Sequence, residues 1–184
     1  MNSRIEINIF FILYFWVFTS CETYELNLDN PIDYIADEEA GIFPPALTLF
    51  PLEIEANVDD SFTISLFIVK PDTTLAGIHA RLYYDSSKMV PDTISPGILF
   101  TYEGTVTPLF TYQIFAGQID LNVFYLGNQF SYVDQTGHVA DINFSALNIS
   151  SSEIIIDSTE SELVTPEDEV IELKGVRGTT VIIQ

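Results

Sequence analysis

Three side chains of different chemistry alternate along one predicted strand of this 184-residue chain. His79, Arg81 and Tyr83 are separated by single apolar residues. Side chains two positions apart on a strand point to the same face, about 7 Å from one another. An imidazole, a guanidinium and a phenol in one line offer hydrogen-bond donors and a broad ring, which suit a contact surface. We therefore predict that this row binds a partner; an ordinary solvated strand face is the alternative interpretation.

Few residues in this sequence are candidates for catalysis. His79 and His138 are its two histidines, and neither lies in a recognisable nucleophile or zinc motif. The carboxylate pair Glu167 and Asp168 lies in an acidic segment that contains proline, where solvation explains it. We therefore predict a protein that is not an enzyme, with no catalytic residue, no metal ligands and no cofactor of its own.

Cys21 is the only cysteine, and it directly follows a short apolar segment. Arg4 supplies a weak positive start, residues 9–18 are apolar, and Phe18-Thr19-Ser20-Cys21 resembles the lipobox of bacterial lipoprotein signal peptides. An apolar run of this length falls well short of the roughly 20 residues that cross a bilayer. The pattern predicts a signal peptide over 1–20, lipidation of Cys21, and a lipid anchor in the bacterial cell envelope, with the outer membrane favoured.

The net charge argues against several classes of partner. The formal charge is −21, and such a surface repels nucleic acid and anionic lipid headgroups. No segment has the ligand spacing of an EF-hand loop, so the acidity is read as a solvated surface. Residues 21–45 are rich in Asp, Glu and Pro, which predicts a flexible acidic tether ahead of a domain over 46–184.

Beyond Pro45 the apolar residues recur with a period of two almost to the end of the chain, which predicts strands. No segment shows a sustained helical stripe, so we expect an all-β, two-sheet sandwich. Phe67, Val69 and Phe124 are apolar at outward positions, which fits either an exposed apolar face or a second buried layer. The predicted inward sets are Phe62, Ile64, Leu66 and Ile68; Ile78, Ala80, Leu82 and Tyr84; Ile119, Leu121, Val123 and Tyr125; and Ala140, Ile142, Phe144 and Ala146.

Two turns contain residues whose local role can be predicted. Asp85 is predicted to accept hydrogen bonds from the amides of the turn that follows it. Gly97, after Pro96, is predicted to supply a backbone conformation that other residues resist.

These stretches resemble the cohesin domain family. In that family a strand ends in Tyr-Asp-Pro-Ser or a variant, and a Pro-Gly turn into an apolar pair follows. Tyr84-Asp85-Ser86-Ser87 and Pro96-Gly97-Ile98-Leu99 match in the same order. Residues 137–144, Gly-His-Val-Ala-Asp-Ile-Asn-Phe, are similar to the family's Gly-x-Leu-Ala-x-Ile-x-Phe strand. The resemblance runs from Leu47 to the carboxyl end.

The resemblance implies a jelly-roll sandwich of about nine strands, immunoglobulin-like and shared with carbohydrate-binding modules. It also implies a noncatalytic module that holds a dockerin, the calcium-loaded module of a polysaccharide-degrading enzyme, so any calcium would arrive with that partner. In dockerin-binding cohesins, outward Asn and Asp residues precede the Tyr-Asp turn. Those positions hold Gly77 and His79 here, so the contacts must differ.

A glycan is the alternative partner, because carbohydrate-binding modules of this fold stack sugars on exposed aromatic rings. Trp16, the only tryptophan, lies in the predicted signal peptide. The remaining candidates for such a platform are Tyr83, Tyr102, Tyr112, Phe124 and Tyr132.

Overall fold

The computed structural model describes residues 38–99, 108–125 and 134–184. These residues form thirteen strands. The strands are β1 (Ala46–Phe50), β2 (Glu53–Ala56), β3 (Ser61–Val69), β4 (Gly77–Tyr83), β5 (Met89–Pro96), β6 (Leu109–Phe115), β7 (Gln118–Phe124), β8 (Gly137–Ala146), β9 (Ser150–Ile156), β10 (Glu162–Val164), β11 (Val170–Ile171), β12 (Gly175–Arg177) and β13 (Thr179–Ile183).

The strands form two sheets. The first has the order β12-β1-β3-β8-β5. In the second, the order β11-β10-β4-β9-β13-β2 is extended by β7, which pairs with β4, and by β6, which pairs with β7. The chain crosses between sheets from β1 to β2 and again from β12 to β13, so both ends of the domain contribute to both sheets. The all-β sandwich predicted from the sequence is confirmed.

The strand count exceeds the predicted nine because long strands are interrupted. Strands β9 and β10 both pair with β4 on the same side, at its two ends. Residues 157–161 form a loop between them, beside Arg81. A periodicity of two in the apolar residues indicates an extended segment. It does not show where a loop divides that segment into two strands.

The inner faces form one apolar core, as the alternation predicts. Leu82 and Phe144, from different sheets, are both 0% exposed. The Phe144 ring stacks on Phe62 with centroids 5.6 Å apart and meets Tyr84 edge-on at 5.6 Å. Of the predicted inward sets, only Tyr125 is half-buried rather than buried. The inward and outward faces of these strands therefore follow from their apolar patterns.

The three apolar residues at predicted outward positions differ in how deeply they are buried. Val69 is fully buried, whereas Phe67 and Phe124 are half-buried. Phe67 stacks on His138 with centroids 5.2 Å apart and meets Phe50 edge-on at 6.4 Å. The outer face of the first sheet therefore carries a small aromatic cluster.

The two predicted turns gave one confirmation and one correction. The Asp85 carboxylate accepts hydrogen bonds from the Ser87 amide at 2.9 Å and from its hydroxyl at 2.6 Å. Gly97, by contrast, is not among the residues with positive φ. A Cβ at Gly97 would overlap the His138 carbonyl, so close backbone approach, and not an unusual conformation, excludes a side chain there.

Candidate functional site

The predicted row of His79, Arg81 and Tyr83 lies on the outer face of the second sheet. All three residues are half-buried, and the residues between them are buried. Strand β4 is flanked by β7 on one side and by β9 and β10 on the other. The row therefore runs through the middle of a broad face built from β6, β7, β4, β9 and β10, which we call the β4 face.

Arg81 is tied to its neighbours on this face. Its Nε lies 2.6 Å from Asp120 Oδ1 on β7, and its Nη1 lies 3.1 Å from Glu160 Oε2. The hydrogen bond to Asp120 raises the pKa of Arg81. Burial opposes ionisation of Asp120, but hydrogen bonds from Arg81 and Gln118 outweigh it, so the pKa of Asp120 lies below its ordinary value. Arg81 is therefore a structural cation as well as a surface group.

The loop at residues 157–161 is fastened to the same point of β4. The Arg81 amide donates to Ser161 Oγ at 2.9 Å, and the Asp157 amide donates to the Arg81 carbonyl at 2.9 Å. The Asp157 carboxylate accepts from the Thr159 hydroxyl at 2.7 Å and from the Thr159 and Glu160 amides at 2.9 and 3.2 Å. These side-chain and backbone bonds lower the pKa of Asp157. The loop that interrupts the sheet thus presents Glu160 to Arg81.

Strand register places the outward residues of the β4 face in four rows across the sheet. The two central rows are polar and the two terminal rows are mostly apolar. Opposite ends of the face lie about 20 Å apart, six residues along β4. The Tyr83 row contains Phe115, Gln118, Tyr83 and Ile155. The Phe124 row contains Leu109, Phe124, Gly77, Val164 and Val170.

The terminal rows expose more apolar surface than the sequence indicated. Phe115 is 50% exposed, Ile155 46%, Leu109 43% and Val170 61%. Sequence reasoning missed Ile155 because it lies in the apolar run Ile154-Ile155-Ile156, which shows no alternation. It missed Phe115 because the face of β6 cannot be assigned before its pairing with β7 is known.

The central rows carry an excess of carboxylates. Register places Asn122 and Glu162 beside His79, and Asp120 lies beside Arg81. Three acidic groups, Asp120, Glu160 and Glu162, thus surround one guanidinium and one imidazole. The arrangement suits a ligand that brings hydrogen-bond donors or cations to the middle of the face.

His138 lies on the opposite side of the molecule, in the aromatic cluster of the first sheet. Its Nε2 is 2.8 Å from Asp141 Oδ1, and the Ser65 hydroxyl donates to the same oxygen at 2.5 Å. In a nucleophilic triad the serine bonds the histidine and the histidine bonds the carboxylate. Here the carboxylate lies between them, so the histidine is not placed to activate Ser65.

The remaining predicted residues are distributed as follows. Tyr112 is 42% exposed on β6, and its neighbour in register, Leu121, is buried, so Tyr112 lies on the inner side of the sheet edge. Cys21, Tyr102 and Tyr132 lie outside the described residues. Among the residues that the structure describes, no group of three potential metal ligands comes together, and no helix is long and apolar enough to span a membrane.

Neither a family model nor a curated protein matches the sequence. Solved structures do match the fold. The Clostridium acetobutylicum module CaCohA2, in a complex, superimposes with a TM-score of 0.65 at 15% identity, covering 76% of this chain and 99% of that chain. The cohesin of a type I cohesin–dockerin complex from Clostridium thermocellum gives 0.61 at 18% identity, covering 76% and 92%.

A non-cellulosomal cohesin from the archaeon Archaeoglobus fulgidus also superimposes, with a TM-score of 0.60 at 15% identity, covering 76% of this chain and 90% of that chain. The described domain therefore has the cohesin fold, a jelly-roll sandwich. The sequence resemblance and the tertiary structure agree on this point.

Proposed function

We propose that this chain is a noncatalytic binding module that recognises a dockerin-type protein partner through the β4 face. The observation that carries the proposal is the pattern of that face, in which two exposed apolar rows border a polar, acidic centre. Several solved structures of the same fold are cohesins in complex with dockerins. A broad sheet face of this kind suits a protein surface better than a small molecule, which needs a concave site.

The apolar and the acidic residues of the β4 face would contribute differently to binding. Aromatic and aliphatic side chains that lose their water on binding supply most of the free energy of a contact, whereas exposed ion pairs contribute little. Tyr83, Phe115 and Ile155 would therefore provide affinity, and the acidic centre would orient a partner that carries donors. Phe124 would play the same part at the other end of the face.

A membrane anchor completes the proposal. Acylation of Cys21 would attach the chain to the bacterial cell envelope, the outer membrane being favoured, and residues 21–45 would hold the domain away from the lipid. A partner bound there would be kept at the cell surface or in the periplasm. A dockerin-bearing partner links the module to enzymes of polysaccharide degradation.

The test is calorimetry of the detergent-solubilised full chain with a panel of purified dockerin modules, in calcium and in chelator. We expect calcium-dependent binding that the pair Tyr83→Ala and Ile155→Ala weakens at least tenfold, about 1.4 kcal/mol. Thr63→Ala, on the outer face of the first sheet, is the matched control. Retention on insoluble polysaccharide with no dockerin binding would contradict the proposal and favour a glycan partner.

A further inference from the structure

Strand β6 differs from the other edge strands of the described sheets. Natural proteins protect sheet edges by shortness, charge, proline or bulges. Strand β5 carries Pro91, Asp92 and Pro96, with a register shift after Pro91. Strand β2 has four residues, of which two are glutamates, and β11 and β12 have two and three residues.

Strand β6 has none of these protective features. Its seven residues, Leu-Phe-Thr-Tyr-Gln-Ile-Phe, include no charge, no proline and no glycine. Among the described residues it pairs only with β7. All but Phe110 are exposed, including Tyr112 at 42% and Ile114 at 39%. Alternate residues of such a strand direct their amides and carbonyls away from the sheet, where another strand can bind them.

The sequence of β6 is complementary to itself. Antiparallel pairing of two copies centred on Tyr112 places Phe110 opposite Ile114 and Thr111 opposite Gln113. The same register places Leu109 opposite Phe115 and Tyr112 opposite its own copy. Every pair then joins apolar with apolar or neutral polar with neutral polar, as a two-fold interface requires. We propose that β6 pairs with β6 of a second copy of this chain, in that register.

The interface has a consequence for the β4 face. In this register, a two-fold axis perpendicular to the sheet relates the two copies. The second sheet of one copy then continues, across β6, into the second sheet of the other. Both β4 faces then point to the same side. A dimer would therefore present two recognition faces together, and a partner with two binding modules would gain avidity. The absence of charge on β6 keeps the contact free of local repulsion, although each copy carries a net charge of −21.

Cysteine cross-linking tests the register in the full chain, with Cys21→Ser as the background. Cα atoms directly opposite each other in an antiparallel pair lie about 4.5 to 5.5 Å apart, within disulfide range. We expect Tyr112→Cys to form a disulfide-linked dimer on mild oxidation. Leu109→Cys and Phe115→Cys should each remain monomeric alone and cross-link when the two are mixed.

The control is Ile155→Cys, which is exposed on β9 at a distance from the edge. The expected result is at least tenfold more cross-linked dimer for Tyr112→Cys than for this control. Equal cross-linking of the two, or cross-linking of Leu109→Cys alone as efficient as in the mixture, overturns the proposal. A cross-linked Tyr112→Cys dimer that binds no dockerin would contradict the proposed function and leave the interface standing.

Sedimentation without cross-linking gives a second measurement. Tyr112→Lys places two like charges opposite each other and should weaken dimerisation at least tenfold, whereas Thr63→Lys should not. Added salt screens the repulsion between two acidic copies, so the wild-type dimer should strengthen from low to high ionic strength. A wild-type chain that stays monomeric at every concentration and salt, because another segment of the chain or another protein occupies β6, overturns the proposal.

Discussion

Phe124 on β7 lies directly over Gly77 on β4. A Cβ added to Gly77 would overlap the Phe124 ring, and register places the two residues opposite each other. The ring therefore covers the gap that a strand glycine leaves, as aromatic residues do in other sheets. The sequence resemblance aligns Gly77 with one of the two positions where dockerin-binding cohesins are expected to carry outward polar residues. In this chain the neighbouring strand supplies the surface there instead.

The Phe124–Gly77 contact predicts a non-additive pair of substitutions. Gly77→Ala should destabilise the domain by about 1 to 3 kcal/mol, because the ring must move. In the Phe124→Ala background the same change should cost much less or stabilise the strand. Urea unfolding of the single and double variants measures the coupling. Additive effects would show that the ring does not cover the glycine.

The core assignment predicts a difference between inward and outward residues of neighbouring strands. Leu82→Ala and Phe144→Ala should each cost about 2 to 5 kcal/mol, because both side chains are fully buried and leave cavities. Asn143→Ala, outward on β8 and half-buried, should cost far less. Comparable urea midpoints for the three variants would contradict the assignment of faces.

Four carboxyl groups, Asp60, Asp85, Asp120 and Asp157, predict acid sensitivity, because the pKa of each is lower in the folded chain than its ordinary value. The unfolded chain then binds more protons in acid, so stability is present above about pH 4 and is lost as pH falls through the folded pKa values. Asp120→Asn should flatten this loss, whereas Asn143→Ala, which removes no carboxyl group, should not. Unfolding midpoints between pH 2 and 7 measure the slopes, and equal slopes for wild type and Asp120→Asn would contradict the role of Arg81.

The β4 face predicts which side chains carry binding. Replacing Tyr83 with Ala should weaken partner capture severalfold with little change in melting temperature, because the phenol is outward and half-buried. Arg81→Ala should lower the melting temperature as well, since Asp120 and Glu160 lose their cation. Arg81→Lys is the control that keeps charge but loses the forked geometry. Unchanged capture by a folded Tyr83→Ala, Arg81→Ala double variant would move the binding site to another face.

The lipidation of Cys21 predicts a change in cellular location. Cys21→Ser should abolish labelling by a radioactive fatty acid and release the chain from the membrane fraction, because cysteine sulfur is the acylated atom. Thr63→Ala, in the domain and outside the predicted signal peptide, is the control. Labelling of the Cys21→Ser chain equal to that of wild type would rule out this anchor.

The amino-acid sequence by itself determined the sandwich and the faces of its strands. A side chain's direction on a strand depends only on local geometry, so alternation placed Leu82 and Phe144 inward and His79, Arg81 and Tyr83 outward. The turn at Asp85 was equally local, since its partner Ser87 lies two residues away.

Tertiary structure alone decided what surrounds the row on β4. Asp120 and Glu160 are 39 and 79 residues from Arg81 in the chain, and only strand pairing brings them to its guanidinium. The same is true of Phe124 over Gly77 and of the position of β6 at an edge of the described sheet. The neighbours of a strand are set by pairing between distant segments of the chain. The apolar pattern of one segment does not determine which other segment it pairs with.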